Sequence, residues 1–171
     1  MKPYQRLVIS WIKSYNVKRF AEIGVARCAL AKEVLQNTDL EYYAAVDPWK
    51  VYSGRGAGTL ARLKQEQWET WFQNALELGK EHSNLHIFRM ESVQAAEQFK
   101  NGFFDMIFID ADHSYEAVRS DIFAWMPKIK KGGIISGHDY NKAYRTTVGK
   151  AVKEIFGEKT IAEYSCWFNK T

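Results

Sequence analysis

The segment FAEIGVARCALAKEVL puts an acidic residue, Glu22, at the end of an apolar run, Gly24 two positions on, and a helical pattern just beyond. In a doubly wound sheet such a strand-to-helix turn lies beneath the ligand, because a residue without Cβ lets the backbone approach it closely. The charge of Glu22 then selects among ligands. Its carboxylate can accept hydrogen bonds from a cationic amino-acid moiety, directly or through water, and would repel a pyrophosphate. A sulfonium nucleoside of the S-adenosylmethionine type is therefore favoured over NAD, which the missing G-x-G-x-x-G also disfavours. The next apolar run, YYAAVDPW, closes on Asp47, about 20 residues past the glycine turn, where a carboxylate can grip both ribose hydroxyls. The plainer alternatives are a tight turn at Gly24 and a turn opened by Asp47 and Pro48. Ser92, in FRMESVQ, follows a third apolar run. It can contact an adenine, with Met90 packed on the base, or cap the following helix. Two more carboxylates, Asp110 and Asp139, each follow an apolar run. On neighbouring parallel strands they would share one rim and repel, and one would take up a proton. A hard divalent ion instead accepts both, and it lowers the pKa of a bound hydroxyl.

Bringing these residues to one rim requires parallel strands joined by right-handed crossovers. The apolar runs 20–25, 42–46, 85–88, 106–109 and 134–137 are predicted strands, and 28–35, 65–78, 93–99 and 115–125 are predicted helices between them. After Pro3, the residues Leu7, Val8, Trp11, Ile12 and Tyr15 recur at helical spacing, predicting a first helix within 1–17 that packs on the sheet. At the other end a helix over 148–156 precedes two short runs, 160–164 and 166–168, that can pair as an antiparallel edge hairpin. The predicted fold is thus an α/β, doubly wound, Rossmann-like sheet of seven strands, mostly parallel. With 171 residues, 46% of them hydrophobic, one core and a single domain over 1–171 are expected.

The net charge of +4 is spread among 24 basic and 20 acidic residues, and only Lys128, Lys130 and Lys131 cluster, so no nucleic-acid partner is expected. Cys28 and Cys166 lack metal spacing and read as reduced core thiols. No stretch is apolar enough for a signal peptide or a membrane span, which predicts a cytoplasmic protein without a membrane partner. The irregular stretch 48–58 interleaves Gly54, Gly56 and Gly58 with Arg55 but lacks the Gly-Lys-Ser/Thr of a phosphate loop, and reads as a lid or a surface loop.

The stretch FFDMIFIDADHSYEAVRSDIFAWMPKIKKGGIISGHDY resembles the class I methyltransferases, especially the small catechol- and caffeoyl-CoA-type O-methyltransferases and the bacterial sugar and macrolide O-methyltransferases. With the glycine turn and Asp47 the resemblance covers residues 18–140, and GKAVKEIF and CWFNK fit the C-terminal end of the same family. It implies methyl transfer from S-adenosylmethionine to a hydroxyl of a small aromatic or sugar-like molecule. It also implies a divalent metal held where the fourth and fifth strands close, here by Asp110, His138 and Asp139. The family's usual Asp-Asn pair is His-Asp in this chain, and imidazole is a softer ligand, so manganese, iron or zinc stands beside magnesium. Cys28 replaces a third glycine and suggests a looser cofactor contact. His113 falls where the catechol-type enzymes carry a lysine, three positions past Asp110. Histidine titrates near neutrality and can take the hydroxyl proton, which makes His113 with Asp110 the expected catalytic pair. The alternative is a polar helix start capped by Asp112 or Ser114. Loops 48–58 and 140–147 would bind the acceptor, with Trp49, Tyr52, Tyr140 and Tyr144 available for stacking. Trp68 and Trp71, expected exposed on one helix, leave room for a homodimer. A cofactor-binding protein without catalysis and a metal-independent methyltransferase are the competing readings.

Overall fold

The computed structural model describes residues 1–51, 60, 62–140, 147–157 and 160–171, with only the backbone of Ile161 and Ala162. The chain runs α1 (Pro3–Ser14), β1 (Arg19–Ile23), α2 (Ala29–Asn37), β2 (Tyr42–Val46), α3 (Gln65–Glu81), β3 (Leu85–Phe88) and α4 (Ser92–Glu97). It continues through β4 (Phe104–Ile109), α5 (Tyr115–Trp125), a 3-10 turn (Met126–Lys128), β5 (Ile129–Gly137), α6 (Val148–Phe156), β6 (Ile161–Glu163) and β7 (Cys166–Lys170). The seven strands form one sheet in the order β3-β2-β1-β4-β5-β7-β6. The first five are parallel, and β7 is antiparallel to both β5 and β6, as the alternating pattern predicts.

Strand order reverses between β1 and β4, so the crevice that receives ligands opens beyond their carboxyl ends. Register sets what stands there. Ile23 pairs with Ile109, and Ile109 with Gly137, which brings Gly24, Asp110 and His138 side by side on the rim.

The inner strands are apolar on both faces because helices cover both. One face packs Phe20, Tyr43 and Phe108 against Val8 and Ile12 of α1, Val34 of α2, and Trp68 and Leu78 of α3. The opposite face packs Ala21, Ile107 and Ile135 against Ala95 of α4, Val118, Ile122 and Trp125 of α5, and Val152 of α6. Helix α1 begins at Pro3, whose missing N–H costs nothing at that position. It is also tied down by Gln5, whose side-chain amide donates to Ala29 O of α2 at 2.7 Å.

Two elements and one side chain depart most from the sequence reading. Strand β5 starts five residues before the predicted 134, because Lys130 and Lys131 face solvent and hid the strand's first half, while Lys130 pairs with Asp105 at 2.5 Å. Helix α2 starts at Ala29, since Cys28 has a left-handed backbone. Trp68, expected on the surface, is 5% exposed and lies in the core, so it offers no dimer face. Among the described residues no helix is long and apolar enough to cross a membrane.

Candidate active site

Gly24 has φ +89°, and a Cβ there would lie 2.2 Å from the carbonyl oxygen of Asp110. The close approach that demands glycine is therefore made by the backbone leaving β4, where the sequence suggested a ligand. Glycine at this point lets the two strand ends meet. The rest of the turn also bends left-handed, with φ +47° at Ala26 and +60° at Cys28. A glycine at position 28 would adopt that conformation without the strain a Cβ brings. The Cys28 thiol is buried, and burial pushes its pKa up to about 12.

Asp47 holds this turn. Its carboxylate accepts the N–H groups of Val25 at 3.0 Å, Ala26 at 2.8 Å and Trp49 at 2.7 Å. Burial nonetheless raises its pKa against those bonds. With about four acceptor positions on a carboxylate, roughly one is left for a further donor. Glu22, 3% exposed, accepts the hydroxyl of Tyr43. Burial, with Asp110 and Asp47 nearby, holds its pKa well above the carboxylate range, although the Tyr43 bond opposes the rise. Trp49, expected to stack on a substrate, is fully buried and donates its indole N–H to Ala26 O at 2.8 Å, so it braces the turn.

On the β3 side of the rim, Met90 is half-buried against the second core. Ser92 is the first residue of α4 and not its cap, which is Glu91. The Ser92 hydroxyl accepts the indole N–H of Trp125 at 3.0 Å. Lys50 and Glu91 pair at 2.5 Å and join the two loops.

Beyond β4 and β5 the polar residues converge. His113 Nε2 lies 3.0 Å from Asp139 Oδ2 and 3.4 Å from Asp110 Oδ1. His138 Nδ1 lies 3.4 Å from Asp139 Oδ2 and 3.8 Å from Asp110 Oδ1. Backbone bonds anchor these positions: Asp110 N–H to Ile23 O at 2.7 Å and His138 N–H to Ile109 O at 3.0 Å. Asp139 has φ +58°, a left-handed turn that a short polar side chain tolerates. Asp112 and Ser114 do cap the start of α5, accepting the N–H groups of Ser114 at 2.7 Å and Ala117 at 3.4 Å. That leaves His113 directed at the carboxylates rather than out to solvent.

Burial works against charge on His113, but the hydrogen bond to Asp110 and the charges of Asp139, Asp110 and Asp112 prevail and raise its pKa. His138 is raised in the same way, against burial, by its bond to Asp139 and by both carboxylates. Asp139 is lowered despite burial by the two histidines. One atom each from Asp110, His113 and Asp139 lie within 4.8 Å of one another. The carboxylates of Asp110 and Asp139 with His138 Nδ1, 3.8 and 3.4 Å from them, could close on a small divalent ion, whose ligands at right angles with bonds of 2.0–2.2 Å stand about 3 Å apart. The ring of Tyr4 stands 4.7 Å from that of His138. Nothing local in the sequence marks Tyr4, whose helix reads as core packing.

Residues 21–140 match the family described as a methyltransferase domain, a span that holds every rim residue named above except Tyr4. The chain belongs to the class I methyltransferase family. Among known proteins, this methyltransferase is 28% identical over 153 residues to R132, an uncharacterized protein of Acanthamoeba polyphaga mimivirus, covering 85% of the chain and 62% of that protein's length. Its fold matches a candidate caffeoyl-CoA O-methyltransferase of Staphylococcus aureus with a TM-score of 0.68 at 16% identity, covering 99% of this chain and 83% of that one. An O-methyltransferase of Bacillus cereus in complex with SAH matches with a TM-score of 0.59 at 14% identity, covering 98% and 80% of the two chains. Of the residues expected to bind the methyltransferase's acceptor, Tyr52 and Tyr144 lie outside the described residues, as do Gly54, Arg55, Gly56 and Gly58. Tyr140 is half-buried beside the site, with its N–H on Ser165 O at 2.9 Å.

Proposed function

We propose that the protein transfers a methyl group from S-adenosylmethionine to a hydroxyl oxygen of a small aromatic or sugar-like molecule, at a divalent-metal site. The observation that carries this reading is the convergence of Asp110, His113 and Asp139 beside the glycine turn. The rim carries Asp47, Asp110 and Asp139, which suits a cationic sulfonium donor, whereas buried Glu22, its pKa held well above the carboxylate range, adds no charge. Asp47 offers its remaining acceptor position to the ribose, and Ser92 with Met90 faces the base. Asp110 and Asp139 would hold the ion, with His138 as a further ligand or as the partner that orients Asp139, and His113 would stay uncoordinated and able to take a proton. When bound, the ion, magnesium or manganese first, supplies Lewis acidity that lowers the pKa of a substrate hydroxyl. His113 receives the hydroxyl proton while the O–C bond forms and the S–C bond breaks, its electron pair staying on sulfur. The products are a methyl ether and S-adenosylhomocysteine. The sulfonium needs no activation, so aligning oxygen, methyl carbon and sulfur supplies most of the acceleration.

Methyl transfer to catechols and hydroxylated sugars, measured with and without exhaustive chelation, tests the proposal. Activity that disappears on chelation and returns with magnesium or manganese supports it. Undiminished activity in chelator would overturn the metal and favour a second reading, for which the 3.0 Å contact between His113 and Asp139 speaks: a metal-free histidine–carboxylate base.

A further inference from the structure

Helix α1 lies outside the span that matches the methyltransferase domain, yet its first turn reaches the rim. Only residues 15–18 join α1 to β1, so the helix ends at the amino edge of the sheet and runs back along it. Its 12 residues span about 18 Å and the five of β1 about 17 Å, which returns the start of α1 to the level of the strands' carboxyl ends. Ring contacts trace its course. Trp11 and Tyr15 stand against Phe168 of β7, with ring centres 5.1 and 5.5 Å apart. Tyr4 stands against His138, just past β5, at 4.7 Å with the planes tilted by 43°. Side chains lean toward the start of their helix, which carries the Tyr4 ring past the strand ends. The neighbouring Gln5 pins this turn: it is 4% exposed, donates to Ala29 O at 2.7 Å and accepts the Lys2 N–H at 2.6 Å.

His138 gains from such a neighbour. Its backbone N–H is bonded to Ile109 O at 3.0 Å. Its Nδ1, however, stands 3.4 Å from Asp139 and 3.8 Å from Asp110, beyond the about 2.7–3.2 Å of a well-made hydrogen bond. The carboxylates alone hold the imidazole loosely, and the Tyr4 ring packed on it limits its swing. The phenol is no competing ligand, because burial, with Asp110 and Glu22 nearby, holds its pKa above the ordinary tyrosine value and keeps it neutral. We propose that Tyr4 is a positioning residue that holds the His138 imidazole on the metal site, so that α1 completes a centre whose ligands follow β4 and β5. The inference rests on the metal reading above and assigns His138 as a ligand. A partner that fixes a ligating imidazole before the ion arrives is worth about 10- to 100-fold in metal affinity.

Calorimetric titration of the whole chain with manganese, and separately with S-adenosylhomocysteine, tests this. Tyr4→Ala should weaken manganese binding by about tenfold or more while the nucleoside affinity stays within about threefold. Tyr4→Phe keeps the ring that touches His138 and should bind manganese as the wild type does. His138→Ala should weaken manganese binding by itself, and adding Tyr4→Ala to it should cost less than about threefold more, because the group that Tyr4 positions is gone. A general loosening of α1 would instead add its full loss in both backgrounds and overturn the inference. Manganese binding unchanged in Tyr4→Ala or in His138→Ala, or a loss in Tyr4→Phe equal to that in Tyr4→Ala, also overturns it while leaving Asp110 and Asp139 as ligands. Folded wild-type protein that binds the nucleoside but no manganese overturns the metal reading and this inference together.

Discussion

A histidine set between two carboxylates can serve as a ligand or as a base, and binding of the nucleoside separates both uses from the rest of the site. His113→Ala should lower kcat by roughly 10²- to 10⁴-fold while the affinity for S-adenosylhomocysteine stays within about threefold. Parallel turnover and calorimetry check this, and a large loss of nucleoside affinity would move His113 out of the chemical role. Gly24→Ala makes a different test. A methyl group 2.2 Å from the Asp110 carbonyl, on a backbone with φ +89°, must push β4's exit away from β1. The cost should exceed about 2 kcal/mol in urea unfolding. Because Asp110 moves with that backbone, what activity survives should require more metal than wild type. That Glu22, Gly24 and Asp47 stand at the ends of β1 and β2 was legible from spacing alone. The actual reason for Gly24 was not, because the atom that forbids a side chain arrives from residue 110.

At the scale of elements, α4 and α5 are joined by the Trp125–Ser92 hydrogen bond, and the buried acid Asp121 on α5 leaves a mark on stability. The Asp121 pKa is raised to about 7 in the folded protein, whereas an unfolded aspartate titrates near about 3.9. Between these values the native state keeps a proton that the unfolded chain has lost. Stability from this group therefore falls as pH rises from about 4 to about 7, by up to about 1.4 kcal/mol per pH unit, and levels off above. Asp121→Asn removes the titration, so its stability relative to wild type should be higher at pH 8 than at pH 5. Urea unfolding of both proteins at the two pH values decides it, and an unchanged difference would mean that Asp121 is ionised throughout. The periodicity of α5 was plain in the sequence, and its predicted bounds match the observed helix. That Asp121 faces inward was not, since an aspartate on an amphipathic helix reads as solvent-facing.

At the scale of the whole molecule, the rim is assembled from β1, β2, β3, β4 and β5, so a nucleoside bound there cross-links segments from both halves of the sheet. S-adenosylhomocysteine at 100 times its Kd should stabilise the fold by about 2.7 kcal/mol, whereas NAD should leave the midpoint unchanged. A thermal shift with NAD and none with S-adenosylhomocysteine would contradict the acid-lined crevice. The alternation of apolar runs with helical patterns determined the doubly wound sheet, its antiparallel edge and the strand-end positions of Glu22, Asp47, Asp110 and Asp139, because these follow from local periodicity and from the rule that parallel strands present their carboxyl ends together. Only the tertiary structure decided that His113 meets Asp139 rather than solvent, that the tilted ring of Tyr4 lies against His138, that Trp49 braces the glycine turn from within the core, and that Ser92 is tied to α5. Those contacts join residues between 23 and 134 positions apart. A one-dimensional pattern carries the direction in which each side chain leaves its own element; which distant side chain it then meets is set only when the strands align.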